Sequence, residues 1–287
     1  MTQTPALAAR RWGRGPEPLV LLHGFTGSGA AFDHLEDLLG DLVSASAPDL
    51  PGHGGSPVPA VTPGRDSFSA AADEVAVTIA TSFKAKVHLA GYSMGARLAL
   101  AVALEHPELV RSLVLESGGA GLASPSVREE RRTADEELAR TLEREGLRAF
   151  LAKWEETPVL AELKRLAPEL QQKLRARRLG NAAAGLAWAL RHLGQGSQPS
   201  YWPRLSELRV PVLLLHGARD EKYAALAGRL AGLISGARLE AIAGAGHTPH
   251  LERPAEYAGA LRAHLGRVVI EPSKAVPTSL PTPGSQP

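Results

Sequence analysis

The 287-residue chain has no cysteine, which excludes a disulfide framework, a thiolate metal site and a cysteine nucleophile. It also lacks an imbalance of charge, with 32 Lys and Arg against 30 Asp and Glu. A nucleic-acid binder carries a stronger or more concentrated basic excess, so local basic clusters are left to serve an anionic small molecule. No stretch reaches the roughly 18–20 consecutive apolar residues that span a bilayer, and residues 1–12 carry two arginines with no apolar segment behind them. An unexported, cytoplasmic protein is expected, with no membrane and no protein partner indicated. Neither a G-x-G-x-x-G nor a P-loop occurs, and no spaced set of His and carboxylates accompanies His53, so neither a cofactor nor a metal is expected. His53 sits in Asp49-Leu50-Pro51-Gly52-His53-Gly54-Gly55-Ser56, which reads as a glycine-rich turn after a strand.

What is present is ordinary globular composition, 44% apolar and 22% charged, enough for one sizeable core with an insertion. Short apolar runs at 18–22, 42–47, 86–90, 111–116, 210–215 and 238–242 read as buried strands, and 94–105 and 224–234 as amphipathic helices. Strands alternating with helices predict a mostly parallel sheet. The alternation stops between about 126 and 191, where Arg, Glu, Leu and Ala recur at helical spacing, and 194–202 is a Gly-, Ser- and Pro-containing return. The expected layout is a core of residues 1–122 and 203–269, a helical lid inserted at 123–202, and a Pro- and Ser-rich tail, 270–287, expected to be disordered.

Gly91-Tyr92-Ser93-Met94-Gly95 follows one predicted strand and precedes a helical pattern. A G-x-S-x-G in that setting is a nucleophile elbow, a sharp turn that holds the serine exposed at a helix N-terminus. Its oxyanion hole is expected from the backbone N–H groups of Met94 and of Phe25, in the turn His23-Gly24-Phe25-Thr26-Gly27. The acid and base should follow late strands, and Asp220 and His247 do so, in the chain order Ser, Asp, His. Each has an ordinary alternative. Asp220 would also serve as a helix N-cap, Glu221 competes with it as the acid, and His250 competes with His247. The predicted architecture is therefore α/β, an α/β-hydrolase fold with a mostly parallel central sheet flanked by helices and carrying a helical lid.

The sequence resembles a family within that fold, the 2-succinyl-6-hydroxy-2,4-cyclohexadiene-1-carboxylate synthases of menaquinone biosynthesis. The resemblance covers about residues 17 to 267. It rests on HGFTGS from His23, DLPGHGGS from Asp49 and GYSMGAR from Gly91. In the lid it rests on Glu129-Glu130-Arg131-Arg132, Asp135, Phe150 to Glu155, and Pro158. Gly196-Ser197-Gln198-Pro199, Trp202 and Leu205 extend it. Ala96, Ala120, Leu160 and Glu162 depart from the family pattern.

The resemblance implies a lyase that removes a proton from an enolpyruvyl cyclohexene bearing three carboxylates and eliminates pyruvate, with Ser93 as the base. It implies substrate contacts from Tyr92, Arg97, Arg131, Trp154 and Arg178, with Arg128, Arg132 and Arg177 as near alternatives. Most lid arginines have a simpler use, pairing with glutamates on a solvated helix face. Two other functions fit the residues: a serine hydrolase of esters or carbon–carbon bonds acting through an acyl-enzyme, and a ligand receptor that keeps the triad.

Overall fold

The computed structural model describes residues 6–59 and 64–268. The predicted tail, 270–287, lies outside them. Among the described residues seven strands form one sheet: β1 (Ala9–Trp12), β2 (Glu17–Leu22), β3 (Val43–Pro48), β4 (Val87–Tyr92), β5 (Val110–Glu116), β6 (Val212–Gly217) and β7 (Arg238–Ile242), in the order β1-β3-β2-β4-β5-β6-β7. All neighbours are parallel except β1, which runs antiparallel along β3. The six predicted strands are present with ends within two residues of the expected ones, but β7, expected to be buried, is the far edge strand and buries only Ile242. β1 is additional, and it gives no apolar signal because three of its four residues are exposed and only Trp12 turns inward.

The α-helices among the described residues are α1 (Glu36–Leu39), α2 (Ser67–Ser82), α3 (Met94–Glu105), α4 (Pro125–Glu145), α5 (Leu147–Trp154), α6 (Pro168–Leu179), α7 (Ala183–Leu193), α8 (Glu221–Ala231), α9 (Pro249–Glu252) and α10 (Pro254–Arg267). The central strands bury both faces, which is why they read as continuous apolar runs rather than alternating ones. Val20, Leu22, Leu89, Leu113 and Leu214 pack with α2, α3 and α8, while Leu19, Leu21, Val114, Leu213 and Leu215 pack with α1 and α10. The helix expected at 224–234 begins three residues earlier, because the Asp220 side chain caps it by accepting the Tyr223 N–H at 3.1 Å.

Between β5 and β6 the chain runs through α4 to α7. α4 starts on a Ser124 cap with Pro125 in its first turn, and of its 21 residues only Asp135, Ala139 and Leu142 are buried. The latter two join Phe150, Leu151, Leu186 and Leu190 in a separate apolar cluster. A further small cluster, Leu160, Leu163 and Leu174, rests on Leu251 of α9. Asn181, in the link between α6 and α7, ties this segment to two loops of the sheet by accepting the Gly54 N–H at 2.9 Å and donating to Thr26 O at 3.0 Å.

Burial disfavours the charged form of several histidines. Burial pushes His23, His34 and His264 down to about 4 and His53 to about 3, and it lowers His88 as well. Their unfolded counterparts titrate near 6.5. The unfolded chain therefore binds more protons than the folded one as pH falls through that window, and each group withdraws up to about 1.4 kcal/mol per pH unit. Glu74 acts in the opposite sense, since burial, then the charge of Asp73, pushes its carboxyl up to about 7. Because these histidines, with His192 lowered in the same way, outnumber the one raised carboxyl, the urea midpoint should fall steadily from pH 6.5 toward 4; equilibrium unfolding at stepped pH checks this, and a flat profile would contradict it.

Candidate active site

Ser93 joins β4 to α3 with φ 52° and ψ −107°, in the left-handed half of backbone space, a strain of about 1–3 kcal/mol held by its surroundings. The glycines on either side are required sterically. A Cβ on Gly91 would lie 2.4 Å from Gly95 O, and one on Gly95 would lie 2.1 Å from Leu22 O. The Ser93 N–H is held by Glu116 O at 2.8 Å. The predicted elbow is thus present, at the head of α3 and at the C-terminal edge of the sheet.

His247 Nε2 lies 3.1 Å from Ser93 Oγ, and His247 Nδ1 lies 2.7 Å from Asp220 Oδ2. Asp220 makes both contacts at once, since its other oxygen caps α8. Burial raises its carboxyl pKa, but the hydrogen bond and charge of His247, with the Tyr223 N–H, more than offset that and leave it below the usual value. The rings of Tyr223 and Tyr92 flank the imidazole at 4.5 and 5.4 Å between centroids. His250 is elsewhere, buried on the fully buried Glu116 carboxylate with Nδ1 to Oε1 at 2.8 Å. Glu221 is exposed at the start of α8.

The HGFTG turn follows β2 directly. His23 is locked by two bonds, donating from Nδ1 to Gly24 O at 2.8 Å and accepting the Leu50 N–H on Nε2 at 2.9 Å; its low pKa agrees with that neutral tautomer. His53 packs edge-on against both His23 and Phe25, so the DLPGHGGS turn supports the Phe25 turn from behind. Among the described residues, the N–H groups of Phe25 and Met94 have no acceptor within the protein.

Ser93, His247 and Asp220 open on a cavity of about 910 Å³. Phe25, Met94, Tyr92, Arg97, Arg131 and Trp154 line it too. Arg97, half-buried one helical turn from Ser93, has no carboxylate partner among the described residues; it donates to Gly194 O at 3.3 Å and Gln198 Oε1 at 3.4 Å and lies over the Phe68 ring. Burial lowers its pKa to about 10. Arg131 uses Nε on the buried Asp135 at 2.7 Å, and Asp135 also accepts the Gly196 N–H at 3.1 Å, which ties α4 to the return segment. Trp154 stacks on Phe150 and meets Phe25 edge-on, so it is at once lid packing and cavity wall.

Arg178 is not on this cavity. It pairs with Glu155 at 3.1 Å and lines, with Arg177, a neighbouring pocket of about 60 Å³ beside Gly24 and Thr26. Of the near alternatives, Arg132 faces Glu129 and Arg177 faces Asp33. Arg140 and Arg191 likewise pair with lid glutamates. Two contributors went unread in the sequence: Tyr223, against the imidazole, and Glu252, whose carboxylate holds the His247 loop. Neither falls in a periodic or glycine-marked pattern that would have singled it out.

The alpha/beta hydrolase family profile matches residues 19–260. A Bacillus subtilis protein provisionally named 2-succinyl-6-hydroxy-2,4-cyclohexadiene-1-carboxylate synthase is 40% identical over 238 residues, 83% of this chain and 86% of that protein. The chain belongs to the alpha/beta hydrolase family, in its synthase branch. Among solved structures, MenH from S. aureus superposes on this family member with a TM-score of 0.84 at 30% identity, covering 91% of this chain and 98% of the other. A thermophilic esterase from Thermogutta terrifontis gives a TM-score of 0.78, also at 30% identity, over 91% and 93% of the two chains. Among the described residues of this hydrolase-fold chain, no helix is long and apolar enough to cross a membrane, and no group of three or more His, Asp or Glu is arranged to hold a metal ion.

Proposed function

We propose that this enzyme is a lyase of menaquinone biosynthesis, converting 2-succinyl-5-enolpyruvyl-6-hydroxy-3-cyclohexene-1-carboxylate into 2-succinyl-6-hydroxy-2,4-cyclohexadiene-1-carboxylate and pyruvate. The family relationship supplies the reaction. The observation that supports it most is a guanidinium with no ion-pair partner among the described residues, Arg97, in the same cavity as the Ser93–His247–Asp220 chain. An acyl-transfer site for neutral esters has no need of such a group. A substrate with three carboxylates does, and arginine forks bind carboxylates with direction as well as charge.

In this reading the Ser93 hydroxyl passes its proton to His247 Nε2 as its oxygen takes the ring proton of the substrate. Asp220 holds the imidazole in the tautomer that can accept on Nε2 and stabilises the imidazolium. The electron pair left behind forms the C2=C3 double bond, the C3=C4 double bond shifts to C4=C5, the bond from C5 to the enolpyruvyl oxygen breaks, and pyruvate departs as its enolate and is protonated. The Phe25 and Met94 N–H groups and Arg97 stabilise the negative charge that spreads into the conjugated succinyl carbonyl. Arg131, Tyr92 and Trp154 hold the substrate, and Arg178 acts from the adjoining pocket. Residues 123–202 serve as a lid on a core made of 1–122 and 203–269. The reaction is cytoplasmic and takes a small polycarboxylate as its partner.

Incubating the purified enzyme with the enolpyruvyl substrate should release one pyruvate per substrate consumed; no release above background would overturn the proposal. The likeness to the thermophilic esterase favours a second reading, ester hydrolysis through an acyl-Ser93. Rapid stoichiometric labelling by a fluorophosphonate together with efficient turnover of an ester panel would select it.

A further inference from the structure

His247 stands in the connection between β7 and α9, a stretch with no helix or strand of its own. A loop this small would ordinarily leave its side chain several orientations. Here the two backbone N–H groups on either side of the base are both held by one side chain. Gly246 N–H donates to Glu252 Oε2 at 2.6 Å and Thr248 N–H donates to Glu252 Oε1 at 2.9 Å. Glu252 is only 8% exposed, and among the described residues no cation pairs with its carboxylate; Arg253 donates to its backbone oxygen instead. A buried carboxylate with no counter-charge is costly unless it accepts several good hydrogen bonds, and the loop of the base supplies them.

We propose that Glu252 is a positioning residue for the proton transfer, fixing the His247 backbone so that both ring nitrogens are aligned at once. This rests on the reading of His247 as the base. The imidazole must meet Asp220 on Nδ1 and Ser93 on Nε2, at opposite ends of one rigid ring. A small rotation of the loop therefore spoils both bonds together. The remaining neighbours restrain the same loop from other sides. Gly217 packs so closely on Gly246 that a Cβ there would lie 1.9 Å from Gly246 O, and Thr248 Oγ1 is bonded to Tyr92 at 2.9 Å. None of these satisfies the two flanking N–H groups. An amide cannot replace the carboxylate, because glutamine offers one acceptor oxygen and would turn its NH₂ toward the second N–H donor.

Glu252→Gln in the full-length enzyme should lower kcat for pyruvate release by roughly 30–100-fold, as an ångström-scale misplacement does, with KM within about twofold. In the free enzyme, the low-field ¹H resonance of His247 Nδ1–H, bonded to Asp220, should move upfield or broaden away. Glu252→Asp keeps the charge but reaches only one N–H, and should fall between the two. Unchanged kcat in the Gln variant, or a reduced kcat with the low-field proton untouched, would overturn the proposal. If the Gln variant does not fold, the Asp variant decides on the same two readouts, and wild-type values for both would overturn it. The resonance needs no substrate, so a wild-type enzyme that released no pyruvate would sink the lyase reading while this test still ran.

Discussion

Ser93→Ala should cut pyruvate release by roughly 10³–10⁴-fold, the scale of a lost general base, while substrate affinity stays within about fivefold because a single neutral hydrogen bond is removed. The fold should tolerate the change. The strain at position 93 lies in the backbone, at φ 52°, and alanine experiences it as serine does. The main-chain bond from Ser93 N–H to Glu116 O is also kept. The variant therefore separates chemistry from architecture: single-turnover pyruvate assays report the first, calorimetric titration with substrate and thermal melting the second. A variant that retained a tenth or more of wild-type turnover would remove Ser93 from the mechanism.

Arg97→Met should lower kcat/KM by roughly 30- to 1,000-fold, or about 2–4 kcal/mol, the cost of leaving a desolvated anion without its partner, and it should raise the melting temperature. The two effects share one cause. In the free enzyme the guanidinium is a half-buried cation whose hydrogen bonds among the described residues, to Gly194 O and Gln198 Oε1, are long at 3.3 and 3.4 Å. Burial lowering its pKa to about 10 expresses the same penalty. Methionine keeps the stem that packs near Phe68 and removes the charge, so the fold gains what binding loses. Arg97→Lys should recover part of the activity, since it restores the charge without the fork. Steady-state kinetics and differential scanning calorimetry on the three proteins check this; a melting temperature that fell with activity would assign Arg97 a structural role instead.

The fold was legible where the physics is local. Buried parallel strands are apolar throughout, so β2 to β6 announce themselves, and α3 is bounded as predicted because its residues pack on β4 and β5 along nearly every turn. β1 was illegible because it is an edge strand held by ladder bonds to β3, with its side chains mostly in solvent. α8 starts three residues earlier than its apolar pattern indicates, because its start is set by the Asp220 cap rather than by apolar spacing.

The site divides similarly. Ser93, Asp220 and His247 carry local signatures, a glycine-flanked elbow and two loops after strands, and their order in the chain narrows the reading to one constellation. The lid arginines do not, because a helix rich in Arg and Glu presents many equivalent candidates to a linear reading. Which of them stays uncompensated depends on what faces it across the fold. Arg132, Arg140 and Arg191 meet glutamates, Arg131 meets Asp135 and Arg178 meets Glu155, while Arg97, on α3 rather than in the lid, has no ion-pair partner among the described residues. Glu252 was equally invisible, since a carboxylate five residues beyond His247 acquires its use only when α9 turns it back onto the loop it has just left.

By itself, then, the sequence determined six of the seven strands, the elbow and the three residues that meet as the Ser93–His247–Asp220 hydrogen-bonded chain, because backbone strain, burial and turn chemistry are written within a few residues of each position. Only the tertiary structure decided which charges are cancelled and which loop is held. Coulombic pairing and hydrogen-bond satisfaction depend on distances between residues far apart in the chain, as the approach of Arg97 to Gln198 and of His247 to Ser93 illustrates.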